Sequence, residues 1–137
     1  MATQTHAENV DTVRTSPLFR QQALIDGRWR AAASGRTIAV DDPFTGETIG
    51  TIPDLDRQEA QGAIDAATRA FPDWARRPAA ERGALLARWH GLIVDNRETL
   101  ARLITLENGK PLKEAYGEVD YGAGFVEVYA EEGARSL

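Results

Sequence analysis

The chain has 137 residues, a formal net charge of -5 and no cysteine. That length allows one domain at most and is short for a complete cofactor-dependent enzyme. Lacking thiols, the chain can form no disulfide, thiolate metal site or thiol nucleophile of its own, and the absence of any basic stripe argues against a nucleic-acid partner.

Residues 1–16 are polar and aperiodic, with no apolar core of signal-peptide length, and are read as a disordered, loosely attached tail. In "ALIDGRWRAA", Asp26-Gly27 separates two short apolar-containing runs, which predicts a tight hairpin because such turns need positive φ. "RTIAVDDPFTGETIGTIP" predicts a second strand pair around Thr45-Gly46. Pro43 is expected in its loop, since proline cannot donate to a ladder.

From Asp56 the period becomes helical. Asp56 and Glu59 form a capping-box pair ahead of the stripe Ala60, Ile64, Ala67, Phe71 and Trp74. Pro72 is expected to distort or end that helix. A second helix follows Pro78, with Leu85, Leu86, Trp89, Leu92 and Ile93 on one face. The longest apolar run, "GALLARWHGLIV", is broken by Arg88 and His90, so no membrane span is expected.

Asn96 is the next candidate cap, and Asn108-Gly109 supplies a left-handed stop for the third helix. A fourth helix is expected from Pro111 to about Gly133. Its interior glycines, Gly117, Gly122 and Gly124, cost about 1 kcal/mol each relative to alanine. Its late acids, Glu127, Glu131 and Glu132, oppose the helix dipole. Such a helix needs tertiary packing, and few partners are evident for it in this chain. The faces Ile64/Phe71/Trp74 and Leu85/Trp89/Leu92 are expected to bury one another in part, in a helical cluster. The face Ala115, Val119, Gly122 and Val126 is expected to await other chain segments, leaving the isolated chain marginally folded and prone to self-associate.

Candidates for chemistry are few. His6 and His90 have no second ligand at zinc spacing, so no metal role follows. No Gly-x-Gly-x-x-Gly, Walker loop or Gly-x-Ser-x-Gly occurs. Glu114 and Glu118 share a helix face as potential paired carboxylates, although a solvated face explains them better. Trp29, Trp74 and Trp89 suit packing rather than a stacking platform. Lys110, just past a helix C-terminus, suits the exposed carbonyls there. Glu107 either offers its main-chain carbonyl to a cation or only terminates its helix.

"LENGKP", preceded in order by "LIDGRW", "DDPFTGETIGTIP" and the capped helices from Asp56, resembles the N-terminal part of the NAD(P)-dependent aldehyde dehydrogenase family. Asp42 stands where that family usually carries Asn. "LFRQQALIDGRW" and "EAYGEVDYGAGFVEVYAEEGAR" look most like its succinate-semialdehyde dehydrogenase branch. The resemblance implies an α/β family fold, of which this segment is mainly α: four helices preceded by short N-terminal β-hairpins. Residues 17–137 would form an incomplete N-terminal segment of the cofactor-binding domain. In the family a Cys thiolate attacks the aldehyde, hydride passes to the nicotinamide, and a Glu-activated water hydrolyses the thioester. Those residues are expected downstream of Leu137, so no catalytic or cofactor-binding residue is expected here and the fragment alone should be inactive.

By position, the resemblance implies that Glu118, Gly122 and Phe125 line the substrate tunnel, and that the backbone at Val40 and Glu107 matches a monovalent-cation site. The full-length enzyme would use NAD or NADP on a small aldehyde, succinate semialdehyde to succinate, as a cytoplasmic homo-oligomer without nucleic-acid or membrane partners. The alternative is a free-standing helical interaction or regulatory module built on the same scaffold.

Overall fold

The computed structural model describes residues 6–135. In chain order it comprises α1 (His6–Arg14), β1 (Ala23–Ile25), β2 (Arg28–Arg30), β3 (Thr37–Asp41), β4 (Thr48–Pro53), α2 (Arg57–Arg76), α3 (Ala79–Asp95), α4 (Arg97–Asn108) and α5 (Leu112–Arg135). Mainly helical with two β-hairpins in front, it matches the expected class, and α1 adds a helix ahead of the hairpins. The first five residues of the expected tail lie outside the described residues. Over 6–14 the tail expectation is corrected, because Val13 is buried against Ile49 and Leu106. Two or three apolar residues in a polar stretch leave little periodicity to read, yet one well-seated valine anchors the helix.

Both hairpins form as their turns dictate. Asp26 and Gly27 take positive φ (54° and 69°), and Ile25 pairs with Arg28 across a two-residue loop. That backbone matches the strand twist, and Asp tolerates the left-handed region better than most side chains. β3 and β4 are antiparallel with a register irregularity at Val40/Asp41. Their loop closes on buried Asp42, whose Oδ1 accepts the Phe44 amide N–H at 2.8 Å while the Gly46 N–H donates to the Asp42 carbonyl. This turn needs only a side-chain oxygen two residues before the amide, so Asp serves where Asn is usual.

The Asp56 capping box is present, and Glu59 does more than close it. One carboxylate oxygen accepts the Asp56 N–H and the other the Ala33 N–H at 2.7 Å, tying α2 to the segment after β2. Pro72 does not end α2, which continues one turn to Arg76 before Arg77 adopts an extended conformation. Proline removes one amide donor, a loss one exposed turn can absorb. Asn96 marks the α3–α4 junction, but its side chain donates backwards to the Leu92 carbonyl and caps the end of α3 instead of the start of α4. Gly109 is left-handed (φ 75°) and stops α4.

The expected burial of α2 against α3 is overturned. Of α2 only Ala66 is buried; Ile64 and Phe71 remain 59% and 65% exposed. Helix α3 turns buried Gly83 inward with Leu86, His90 and Ile93 half-buried, whereas Leu85, Trp89 and Leu92 of the expected face stay exposed. Its partner is α5, which also packs on α4. The expectation that α5 lacks a partner is therefore corrected as well. Ala115, Val119, Ala123 and Ala130 of α5 are all buried, and Ala101 of α4 joins Ala115 and Val119 in one core cluster. The close approach runs through Gly83: a Cβ there would lie 2.7 Å from the Ala130 carbonyl oxygen. Gly117, Gly122 and Gly124 face open space. The small residue that admits α5 thus sits on α3, where an apolar-stripe reading does not look.

Candidate functional site

Helices α3, α4 and α5 line an open groove of about 580 Å³. Its walls are Trp89 and Ile93 from α3, Leu100, Leu103 and Ile104 from α4, and Val119 and Val126 from α5. Each wall follows from helical spacing: four-residue and three-residue steps put these side chains on facing sides of three packed helices. Glu107 and Glu118 stand at the polar end, and Gly122 lowers the α5 wall. An apolar hollow of this size with a few polar groups suits a small organic molecule.

That end continues into a more polar hollow lined by Glu107, Asn108, Lys110 and Glu118. Here Lys110 Nζ pairs with Glu118 Oε1. The ammonium expected over the last carbonyls of α4 thus reaches across the turn to α5 and offsets one of the two carboxylates. Eight residues separate the partners, a spacing that no single helix brings together, so the sequence offered no sign of the pair. Glu114 is not part of the groove lining, and the paired-carboxylate reading with Glu118 gains nothing from the geometry.

Behind Glu107 lies a small crevice that it shares with Val40, Phe19 and Ile49. Val40 and Glu107, 67 positions apart in sequence, therefore border one space. Phe125 stands apart from the groove lining and packs edge-on against Tyr121, ring centroids 4.7 Å apart. Glu118 and Gly122 are brought together; Phe125 is one helical turn aside.

The mouth of the unit is braced by charge. Arg97 at the start of α4 grips Asp120 of α5 with two hydrogen bonds of 2.5 and 2.6 Å, and its guanidinium lies 4.3 Å from the centre of the Tyr116 ring. The hydrogen bond to Arg97 holds the Asp120 carboxyl below its ordinary value, and the same bond raises Arg97.

Among the described residues one strand runs directly into a helix, β4 into α2, and there the Glu59 N–H already donates to Asp56 Oδ1. A pyrophosphate needs open amides and positive potential at such an end. Among the described residues no group of three His, Asp or Glu is arranged to hold a metal, and no helix is long and apolar enough to cross a membrane.

The profile of the Aldehyde dehydrogenase family matches residues 29–137. The chain belongs to the aldehyde dehydrogenase family. Relatives include a glutarate-semialdehyde dehydrogenase from Pseudomonas putida, 50% identical over 90% of this chain and 26% of the relative. The NADP(+) succinate-semialdehyde dehydrogenase of Escherichia coli is 49% identical over 88% of this chain and 25% of its own length. Among solved structures, a succinate-semialdehyde dehydrogenase from Burkholderia pseudomallei superposes with a TM-score of 0.85 at 47% identity, covering 90% of this chain and 26% of that one. A betaine aldehyde dehydrogenase from Staphylococcus aureus in complex with NAD+ reaches 0.87 at 30% identity, over 95% and 26%. The chain spans about a quarter of the length of the relatives it matches.

Proposed function

We propose that this chain is the N-terminal part of an NAD(P)-dependent aldehyde dehydrogenase acting on a small semialdehyde, succinate semialdehyde first among them, and that the chain alone does not turn over. The observation that carries this is the α3/α4/α5 groove, an apolar hollow with a paired carboxylate at one end, in a chain similar to succinate- and glutarate-semialdehyde dehydrogenases. In the complete enzyme Glu118 and Gly122 would border the path of the aldehyde, with Phe125 at its flank. The backbone at Val40 and Glu107 would face a monovalent cation. The nicotinamide cofactor would accept the hydride, and it would bind to residues outside this chain, a reading supported by the start of α2, where Asp56 already takes the Glu59 amide. The complete enzyme would be a cytoplasmic homo-oligomer.

The chemistry supports inactivity of the segment. With no cysteine in its sequence the chain has no thiolate to attack an aldehyde, and so forms no thioester for a carboxylate-activated water to hydrolyse. The test pairs purified chain with succinate semialdehyde and NAD or NADP. No reduced nicotinamide should form, and calorimetry should detect no micromolar nucleotide binding. Turnover in a preparation free of host dehydrogenases would overturn this reading.

The second reading, a free-standing helical interaction module, draws on one observation: α5 is packed by α3 and α4 within this chain. Reading the gene beyond codon 137 separates the two. A continuation into a Gly-rich dinucleotide fold and a Cys-containing loop supports the enzyme; a stop codon with its own conserved context supports the module.

A further inference from the structure

Pro43 lies in the β3–β4 loop and Gly109 stops α4, far apart in sequence, yet the two touch. A Cβ on Gly109 would lie 3.0 Å from Pro43 Cγ and 3.7 Å from Pro43 Cβ. The proline ring therefore covers the side of Gly109 where any other residue carries its side chain. Glycine is needed there on two counts, for its φ of 75° and for this approach.

The loop that carries Pro43 is firmly held. Asp42, 1% exposed, takes the Phe44 amide on its carboxylate and the Gly46 amide on its carbonyl. Proline, with φ set by its ring, adds little freedom between them. The hairpin rests on α4 through Ile49, which packs with Leu106 and Val13. Leu103 packs against that cluster and also forms a wall of the groove, so hairpin and groove share one helix.

Beyond Gly109 come Lys110 and Pro111. A residue before proline is pushed towards extended backbone, and the Pro111 carbonyl already accepts the Glu114 and Ala115 amides of α5. Gly109 is thus the joint with most freedom to redirect the turn, and Pro43 lies against it. From this turn the Lys110 ammonium reaches Glu118. Among the described residues Lys110 is the one cation lining either hollow.

We propose that Pro43 is a positioning residue for the polar end of the groove: by holding Gly109 it aims Lys110 at Glu118. This rests on the reading of the groove as the aldehyde path. Without the wedge Gly109 still stops α4, but the turn beyond it swings and Lys110 leaves Glu118. An aldehyde bearing a carboxylate then meets two uncompensated carboxylates, Glu107 and Glu118.

The test reads proton exchange at the lysine ammonium groups by 15N NMR, since a paired ammonium exchanges more slowly than a free one. Exposed Lys113, the chain's other lysine, is the internal reference, and Glu118→Gln sets the released value for Lys110. In Pro43→Ala the Lys110 ammonium should exchange about two- to fivefold faster, the range of an exposed ion pair. Phe44→Ala, in the same loop at an 81% exposed position, should leave it unchanged. Three results would overturn the proposal: Lys110 exchanging like Lys113 in the parent, Pro43→Ala matching the parent, or Phe44→Ala matching Pro43→Ala. If Pro43→Ala loses helical circular dichroism, the parent decides on warming. The Overhauser contact between the Pro43 ring and the Gly109 Hα and the slow exchange at Lys110 should then fade together, and slow exchange that outlasts the contact contradicts the proposal. No readout involves an aldehyde, so failure here leaves the reading of the groove standing.

Discussion

Helices α2 and α5 fare in the structure opposite to the way their sequences read. Helix α2 has the stronger amphipathic pattern, five apolar residues at alternating four- and three-residue steps, yet buries one alanine. Helix α5 carries misplaced acids and three interior glycines, yet buries four residues between α3 and α4. The difference lies in the partner surface. Gly83 lets the α5 backbone come close, and the alanines of α5 make that closeness possible from the other side. A stripe indicates which face gains from burial; whether a partner is at hand depends on what stands opposite.

The sharpest way to break this contrast is to fill the contact. Gly83→Leu should destabilise the chain by about 1–3 kcal/mol or more, because its side chain must displace the main chain of α5. Urea unfolding measures it, with Gly91→Ala as a control on the same helix at a site with open space. Next in size, Gly117→Ala should stabilise the chain by about 1 kcal/mol, since a methyl there meets nothing and the helix gains propensity. Thermal unfolding should show a raised midpoint; a lowered one would mean that the glycine serves a contact.

A smaller effect concerns the brace between α4 and α5. Asp120 is held below its ordinary carboxyl value by Arg97, so its contribution is present above the unfolded value and lost as pH falls through the lowered folded one. Asp120→Asn should therefore be less stable than the parent near neutrality, with the gap closing in acid. The pair is solvent-exposed, so the gap should be slight. Least of all, Phe71→Ser on α2 should change unfolding by within about 0.5 kcal/mol, while reducing concentration-dependent sedimentation.

Local chemistry was legible in the sequence. The Asp26-Gly27 turn, the Asp56/Glu59 box and the Gly109 stop each act through neighbours within a few positions, and each stands where those residues put it. The motif order also carried the family. Long-range choices were not legible. Gly83 has no signature, because an isolated glycine in a helical pattern looks like a simple loss of propensity. Val13 and Arg14 reach strand β4, 34 to 36 positions away, from a stretch with no period. Of the candidate site, Glu118 and Gly122 were placed by resemblance, whereas the walls Ile93, Leu100 and Ile104 looked like ordinary core. A groove side chain and a core side chain share the same spacing; only the packed helices decide which is which.

Residue-resolved amide hydrogen exchange on the chain tests the contrast between the helices most directly. The account predicts that the interior amides of α5, from Ala115 to Ala130, exchange more slowly than those of α2, from Ala60 to Trp74, because α5 opens only with the α3/α4/α5 unit and α2 opens alone. Equal protection of the two helices, or slower exchange in α2, would contradict it.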